Sequence, residues 1–300
     1  MVYSPLNYTG NKAKLLNEIF DILPKDTECF YDVFCGSALV AVNSYAKEIY
    51  INDTSVEVLS LIKYFIDTPT EKIISNMEAI IEKYNLTYSR VKPKGTYIEY
   101  KHEGLSLYNK VGFNRMKTDY NSATAKDMSV LFALVVYGFN HYLRFNKKGE
   151  FNIPIGKVDF CNSIYDKTID FANAIKQKNV HITNCDFRDE QIYNLDQPPK
   201  KLYYFDPPYM ITDAPYNLFW TMEHEKALLA LLDKMNERGV QFALSNVFYS
   251  NGKTNHQLIE WSKKYTVHTM KRQYHNANYR RKNHSLAQEV LITNFEKGEK

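Results

Sequence analysis

The residues best equipped for chemistry lie in Lys201-Leu202-Tyr203-Tyr204-Phe205-Asp206-Pro207-Pro208-Tyr209, an apolar run that ends in an acid, two prolines and an aromatic. Such a run reads as a strand, so Asp206 falls at a carboxyl end, where open α/β sheets hold their ligands. The chemistry these types could perform is the handling of an amino group on a flat ring. The carboxylate of Asp206 accepts one N–H. Pro207 and Pro208 fix φ and stiffen the turn, which leaves the Pro207 carbonyl to accept the second N–H, while Tyr209 offers a face for the ring to stack on. An amine held this way aims its lone pair at an electrophile. A Pro-Pro pair can also do no more than end a strand, so the neighbouring elements must supply the rest of a site.

Four further stretches do so. Asn7-Tyr8-Thr9-Gly10-Asn11-Lys12 precedes a helical pattern in Leu15, Leu16, Ile19 and Phe20, and a loop with an aromatic, a glycine and a lysine at a helix start suits a small charged ligand. Cys29 to Phe34 reads as a strand, Cys35-Gly36-Ser37 as a tight turn and Ala38 to Tyr45 as a helix. That order suits a nucleoside lying across a strand end, although one glycine is present where a dinucleotide fingerprint has three. Glu48 to Asp53 is a second strand ending in an acid, Asp53, which is placed either to hold ribose hydroxyls or to cap the helix expected over Thr54–Phe65. His181 to Phe187 reads as another strand ending in an acid, Asp186.

Three hundred residues suffice for a large core, and the net charge of +4 is modest. Its distribution is uneven. Residues 83–126, 137–158 and 271–284 together carry eighteen Lys/Arg against four acids, which gathers basic charge where a polyanion could meet it. Between Thr68 and Asp127 these lysines are interleaved with Tyr84, Tyr88, Tyr97, Tyr100, Tyr108 and Tyr120, a pattern that fits a surface pairing with phosphates and stacking on bases. Four cysteines without CxxC spacing indicate neither zinc nor a disulfide framework, and no metal site is expected. The longest apolar run, Val130 to Tyr137, is far too short to span a bilayer, and no signal-peptide region opens the chain, so a cytoplasmic protein is expected, with no membrane and no obligate protein partner.

Gly138 to Lys157 has the punctuation of a β-hairpin, with Asn146-Lys147-Lys148-Gly149 as its turn and Asn140, Tyr142 and Arg144 near its stem. With this segment the chain resembles the Dam-type (D12 class, α-group) DNA adenine-N6 methyltransferases: Asn7–Lys12, Asp32–Gly36, Asn140–Gly156, Asp206–Tyr209 and Tyr216–Trp220 fall in register with that family, and over the whole chain it is most similar to the members from T-even phages. The resemblance implies an S-adenosyl-L-methionine cofactor touched by Tyr8, Lys12, Phe34, Gly36, Ser37, Asp53, Asp186, Phe187 and Asp206, and catalysis by Asp206, Pro207, Pro208 and Tyr209. It further implies double-stranded DNA as partner, held through Asn140, Tyr142, Arg144, Pro154 and Lys157, with Arg280 and Arg281 of the basic tail on the phosphates. The methylated site expected from it is GATC, with the base flipped out of the duplex. Where the T-even phage members have a further arginine after Gly156-Lys157, this chain has Val158. A catalytically silent DNA-binding protein on the same fold, or a methyltransferase of another sequence or of RNA, would share most of these features.

The fold expected is α/β, a Rossmann-like methyltransferase with a seven-stranded mixed sheet built from residues 1–57 and 161–300, and a helical and hairpin recognition insert over residues 58–160.

Overall fold

The structure, a computed structural model, describes residues 1–7, 10–92, 96, 97, 99, 104–195, 200–212, 220–270 and 287–296. Its centre is a mixed sheet of β1 (Cys29–Asp32), β2 (Glu48–Asn52), β3 (Asn179–Thr183), β4 (Lys201–Phe205), β5 (Gln241–Ser250), β6 (Lys253–Thr254), β7 (Thr266–Thr269) and β8 (Gln288–Thr293). The order across the sheet is β3-β2-β1-β4-β5-β8-β7, the seven-stranded path expected from the sequence, and the two-residue β6 pairs with β5 beside it. Strands β1 to β5 run parallel, and β8 lies antiparallel between β5 and β7. The chain leaves β1 for β2 and β3 on one side and returns to β4 on the other. The carboxyl ends of β1 and β4 therefore flank the topological switch point, where loops diverge and leave a crevice.

Central strands are apolar on both faces because both are covered. Phe30, Leu202, Tyr204, Ala243 and Leu291 belong to a core shared with α1 (Leu16–Phe20), α2 (Leu39–Asn43), α3 (Val56–Asp67), α6 (Met128–Tyr137) and α7 (Asn162–Lys176). Tyr31, Tyr203, Phe205, Phe242, Leu244 and Ile292 face the other way, onto α8 (Met222–Glu237) and α9 (His256–Ser262). Three of these helices start at side-chain caps: the Ser55 hydroxyl accepts from Val58 N in α3, Asp127 from Ser129 N and Val130 N in α6, and Thr221 with His224 forms a capping box on α8. The strand expected through Phe34 stops at Asp32, and that expected through Phe187 stops at Thr183, so Asp186 lies in the loop beyond β3.

Between α3 and α6 the sequence reading needs correction. Instead of an aromatic surface, α4 (Thr70–Lys83) and α5 (Ser106–Ser122) pack on α6 and send Tyr84, Tyr88 and Tyr120 into the core. The phenols keep their hydroxyls satisfied while their rings are buried, with Tyr84 bonded to Asp119 and Tyr88 to Glu78. The rings of Tyr84, Tyr88 and Tyr120 are hydrophobic payload, whereas Tyr97 and Tyr108 are half-buried and Tyr100 lies outside the described residues. Helix α5 approaches the chain so closely at Gly112 that a Cβ there would lie 2.0 Å from the Tyr84 carbonyl oxygen. The apolar core on this face runs without a break from α1–α3 into α4–α7.

Candidate active site

Asp206 follows directly on β4 and is held from two sides. Its Oδ2 accepts from Lys12 Nζ at 2.6 Å and its Oδ1 from the Tyr209 hydroxyl at 2.9 Å. Lys12 is 5% exposed, donates also to the Gly10 carbonyl at 3.1 Å, and lies 5.0 Å from the Tyr209 ring centroid. The two stretches read from sequence as an acid at a strand end and a lysine at a helix start thus meet across 194 residues of chain. Burial, and then the neighbouring Asp206 charge, push the Tyr209 phenol well above its ordinary range, which keeps it a neutral donor.

The ends of β1 and β2 form the opposite wall. Asp53 Oδ2 accepts from Gly36 N and Oδ1 from Ser55 N, both at 2.9 Å. Ser55, and not Asp53, caps α3, so the acid spans two loops instead of ending a helix. Burial raises the Asp53 carboxyl, with the Ser55, Gly36 and Thr54 N–H groups working in the other direction. Gly36 has φ 48° and Ala38 φ 54°, so the turn after β1 is left-handed at two places; at Gly36 the missing Cβ makes this cheap. Asp32, 2% exposed, has one weak partner, Ala41 N at 3.3 Å, and its Oδ1 has none. Burial first, and then Asp206, hold its carboxyl well above the usual range.

Asn52 is a positioning residue that the sequence does not announce. It donates to the carbonyls of Val33 (3.1 Å) and Cys185 (3.0 Å) and accepts from Thr183 Oγ1 (2.9 Å) and Cys185 N (3.1 Å). All its hydrogen-bonding capacity is spent on tying three strand ends together.

These walls enclose a cavity of about 300 Å³. Of the residues singled out in the sequence, Lys12, Phe34, Gly36, Ser37, Asp53, Asp186, Phe187, Asp206, Pro207, Pro208 and Tyr209 line it. Tyr8 lies outside the described residues, as do Tyr216–Phe219, Arg280 and Arg281. Asp32 and Trp220, at the ends of two stretches that resemble the family, line it too, and the structure adds Asn52 and His224. At one end Trp220 stands among Phe187 (centroids 5.3 Å), Phe34 (5.7 Å) and His224 (5.5 Å, near-parallel at 28°), an apolar wall fit for a flat ring. Asp186 is gripped by Arg188 at 2.6 and 2.9 Å, and that pairing holds its carboxyl below the ordinary range.

The hairpin expected over 138–157 is present in outline, joined by isolated bridges Gly138–Ile155 and Phe145–Phe151 in place of a continuous ladder. Its stem opens in a short 3-10 turn, Phe139–His141, with Asn140 and His141 both at positive φ. Gly149 at φ 73° closes the tip, and Asn146 Oδ1 accepts from Lys148 N and Glu150 N. Arg144 crosses the hairpin to Asn152, Nε to Oδ1 at 2.8 Å, and is exposed, as are Asn140, Pro154 and Lys157; Tyr142 is half-buried. The Asn7 amide donates to the Asn140 carbonyl at 2.7 Å, joining this hairpin to the loop that carries Lys12.

Comparison with known proteins gives one consistent answer. Residues 8–276 match the model of the D12 class N6 adenine-specific DNA methyltransferases. Type II methyltransferase M.FokI of Planomicrobium okeanokoites is 35% identical over 98% of this chain and 43% of its own length, and modification methylase StsI of Streptococcus sanguinis 32% over 98% and 43%. The DNA adenine methylase of Escherichia coli K12 is 24% identical over 80% of this chain and 79% of its own. The chain thus spans less than half the length of the first two relatives. A narrower kinship with T-even phage members gains no support from these relatives.

Proposed function

The chain belongs to the D12 class of N6 adenine-specific DNA methyltransferases, and from that premise we propose that it transfers a methyl group from S-adenosylmethionine to adenine N6 within a specific sequence of double-stranded DNA. The observation that carries this reading is the meeting of Asp206-Pro207-Pro208-Tyr209 with Lys12 and Asp53 around one cavity at the switch point. The donor set fits the cofactor: Asp53 for ribose hydroxyls, Phe187 and Trp220 for the adenine ring, and Lys12 for a carboxylate. When bound, the cofactor supplies a methyl group on a sulfonium.

The protein's part is positioning. Asp206 and the Pro207 carbonyl draw on the two amino hydrogens, and Tyr209 stacks on the base, so the N6 lone pair is presented in line. Adenine N6 in a duplex is out of reach of such a cavity, so the base must be flipped, at a few kcal/mol that phosphate contacts offset. We assign those contacts to the insert of residues 58–160, with Asn140, Tyr142, Arg144, Pro154 and Lys157 at the DNA and Arg280 and Arg281 on its backbone, and residues 1–57 with 161–300 as the catalytic part. An arginine at a hairpin stem reaches O6 and N7 of one guanine, and Pro154 offers an apolar ring to a thymine methyl; GATC supplies both. The protein then works in the cytoplasm, where the DNA is. Expression in a host free of DNA methylation, followed by mapping of every N6-methyladenine, is the test. Methylation confined to GATC is expected; modified adenines elsewhere would move the specificity, and unmodified DNA would overturn the activity.

A further inference from the structure

Among the described residues, Glu225 is the most deeply buried acid that the proposed chemistry leaves unused. It lies in the first turn of α8, 0% exposed, behind the cavity wall. One carboxylate oxygen accepts from Trp220 Nε1 at 2.8 Å and the other from Asn255 Nδ2 at 3.1 Å. Asn255 in turn caps α9 through Leu258 N and donates its own N–H to the Phe248 carbonyl. The indole of Trp220 is thus anchored, through one side chain, to two helices and to β5. A charge at a wholly buried position is tolerated only with such partners, and both partners here are donors. A glutamine, with one oxygen and one NH2, can satisfy one donor and must oppose the other.

We propose that Glu225 is a positioning residue, acting through the Trp220 indole to set the aromatic wall of Phe34, Phe187, Trp220 and His224 against which a flat heteroaromatic ring of the ligand lies. The inference rests on reading the cavity as the cofactor site, and it assigns the ring to the cofactor's adenine end. Without the anchor, Trp220, which stands just ahead of α8, keeps its contacts to Phe187 and Phe34 but loses its fixed plane; the wall survives as surface and fails as shape.

The probe is S-adenosylhomocysteine. In protein labelled with 15N in its tryptophans there are two indole signals, from Trp220 and Trp261. That of Trp220 is expected to exchange slowly with solvent and to shift on addition of the probe. Glu225→Gln is expected to weaken probe binding about tenfold and to raise KM for the cofactor by the same factor, with kcat at saturating cofactor within about twofold of the wild type. In a Trp220→Phe background, which has no indole N–H to anchor, the same substitution should change affinity less than about twofold. Additive losses in that double-mutant cycle, or unchanged affinity in a folded Glu225→Gln protein, would overturn the positioning role. So would a fast-exchanging or unresponsive Trp220 signal in the wild type, which needs no variant to fold. A wild type that does not bind S-adenosylhomocysteine at all would instead bring down the cofactor reading, and the inference with it.

Discussion

A single carboxylate, Asp206, has its two oxygens engaged by a buried ammonium and a neutral phenol, so its geometry is fixed before any substrate arrives. Replacement by alanine would strand Lys12 without its counter-charge; Asp206→Asn keeps the shape and removes the charge. Methyl transfer is expected to fall by roughly 10²-fold or more, the cost of losing a positioned polar group at the reacting centre, while DNA affinity in a gel-shift titration is retained. A rate within about tenfold of the wild type would remove Asp206 from the chemistry. Asp53→Ala is expected to weaken S-adenosylmethionine by about 1.5–3 kcal/mol, the scale of hydrogen bonds to a charged group, measured by calorimetry. At this scale the sequence was legible where a residue type has few other reasons to stand near a strand end, as with Asp206 and Gly36; Asp53 kept two readings that only the Ser55 cap of α3 separates. It was mute on Asn52 and Glu225, whose partners Cys185, Val33, Trp220 and Asn255 are brought to them by tertiary packing and not by spacing.

Among elements, the strands of the sheet's centre were readable because they are apolar on both faces and end in polar residues at the crevice. Strand β7 escaped notice: four residues at the sheet's edge, alternately half-buried and exposed, leave little signal. Helix α4 does carry an apolar stripe in Ile73, Ile74, Met77, Ile80 and Ile81, yet the density of lysine and tyrosine around it suggested a surface. The same phenol serves a core or a base stack, and composition does not tell them apart. Gly112 marks how tightly that insert is built. Gly112→Ala forces α5 off the Tyr84 carbonyl and is expected to cost about 1–3 kcal/mol, read as a lowered melting temperature; an unchanged melt would mean the helices slide apart freely. The hairpin makes a different demand. Arg144, exposed and aimed across to Asn152, is free to exchange that partner for a base edge. Arg144→Ala is expected to lose about 1–3 kcal/mol of discrimination at one base pair and little non-specific affinity, checked by binding to a panel of singly substituted duplexes. An unaltered preference would deny the hairpin its reading role.

Over the whole molecule, four acids, Asp32, Asp53, Asp186 and Asp206, share one cavity with one lysine, Lys12. Burial raises Asp32 and Asp53 above their unfolded values. The native state therefore holds protons that the unfolded chain has already released, and linkage makes stability fall as pH climbs from about 4, the unfolded value, through the raised native values. Asp32→Asn should flatten that decline and be at least as stable as the wild type at neutral pH, in melting curves taken from acid to neutral solution; parallel curves would show that Asp32 carries no such cost. The sheet order has a further consequence, for the time at which the molecule comes into being. Strand β1 lies in the middle of the sheet, but its second neighbour is β4, some 170 residues later on the chain. During synthesis β1, β2 and β3 can pair while one flank of β1 stays open, a row of unpaired backbone groups next to apolar rings. The crevice, the Lys12–Asp206 pair and the cover of α8 all wait for the same arrival. Until β4 emerges, the nascent chain presents a sticky edge and no site, so the ribosome releases a protein whose competence to bind and whose resistance to aggregation are acquired together.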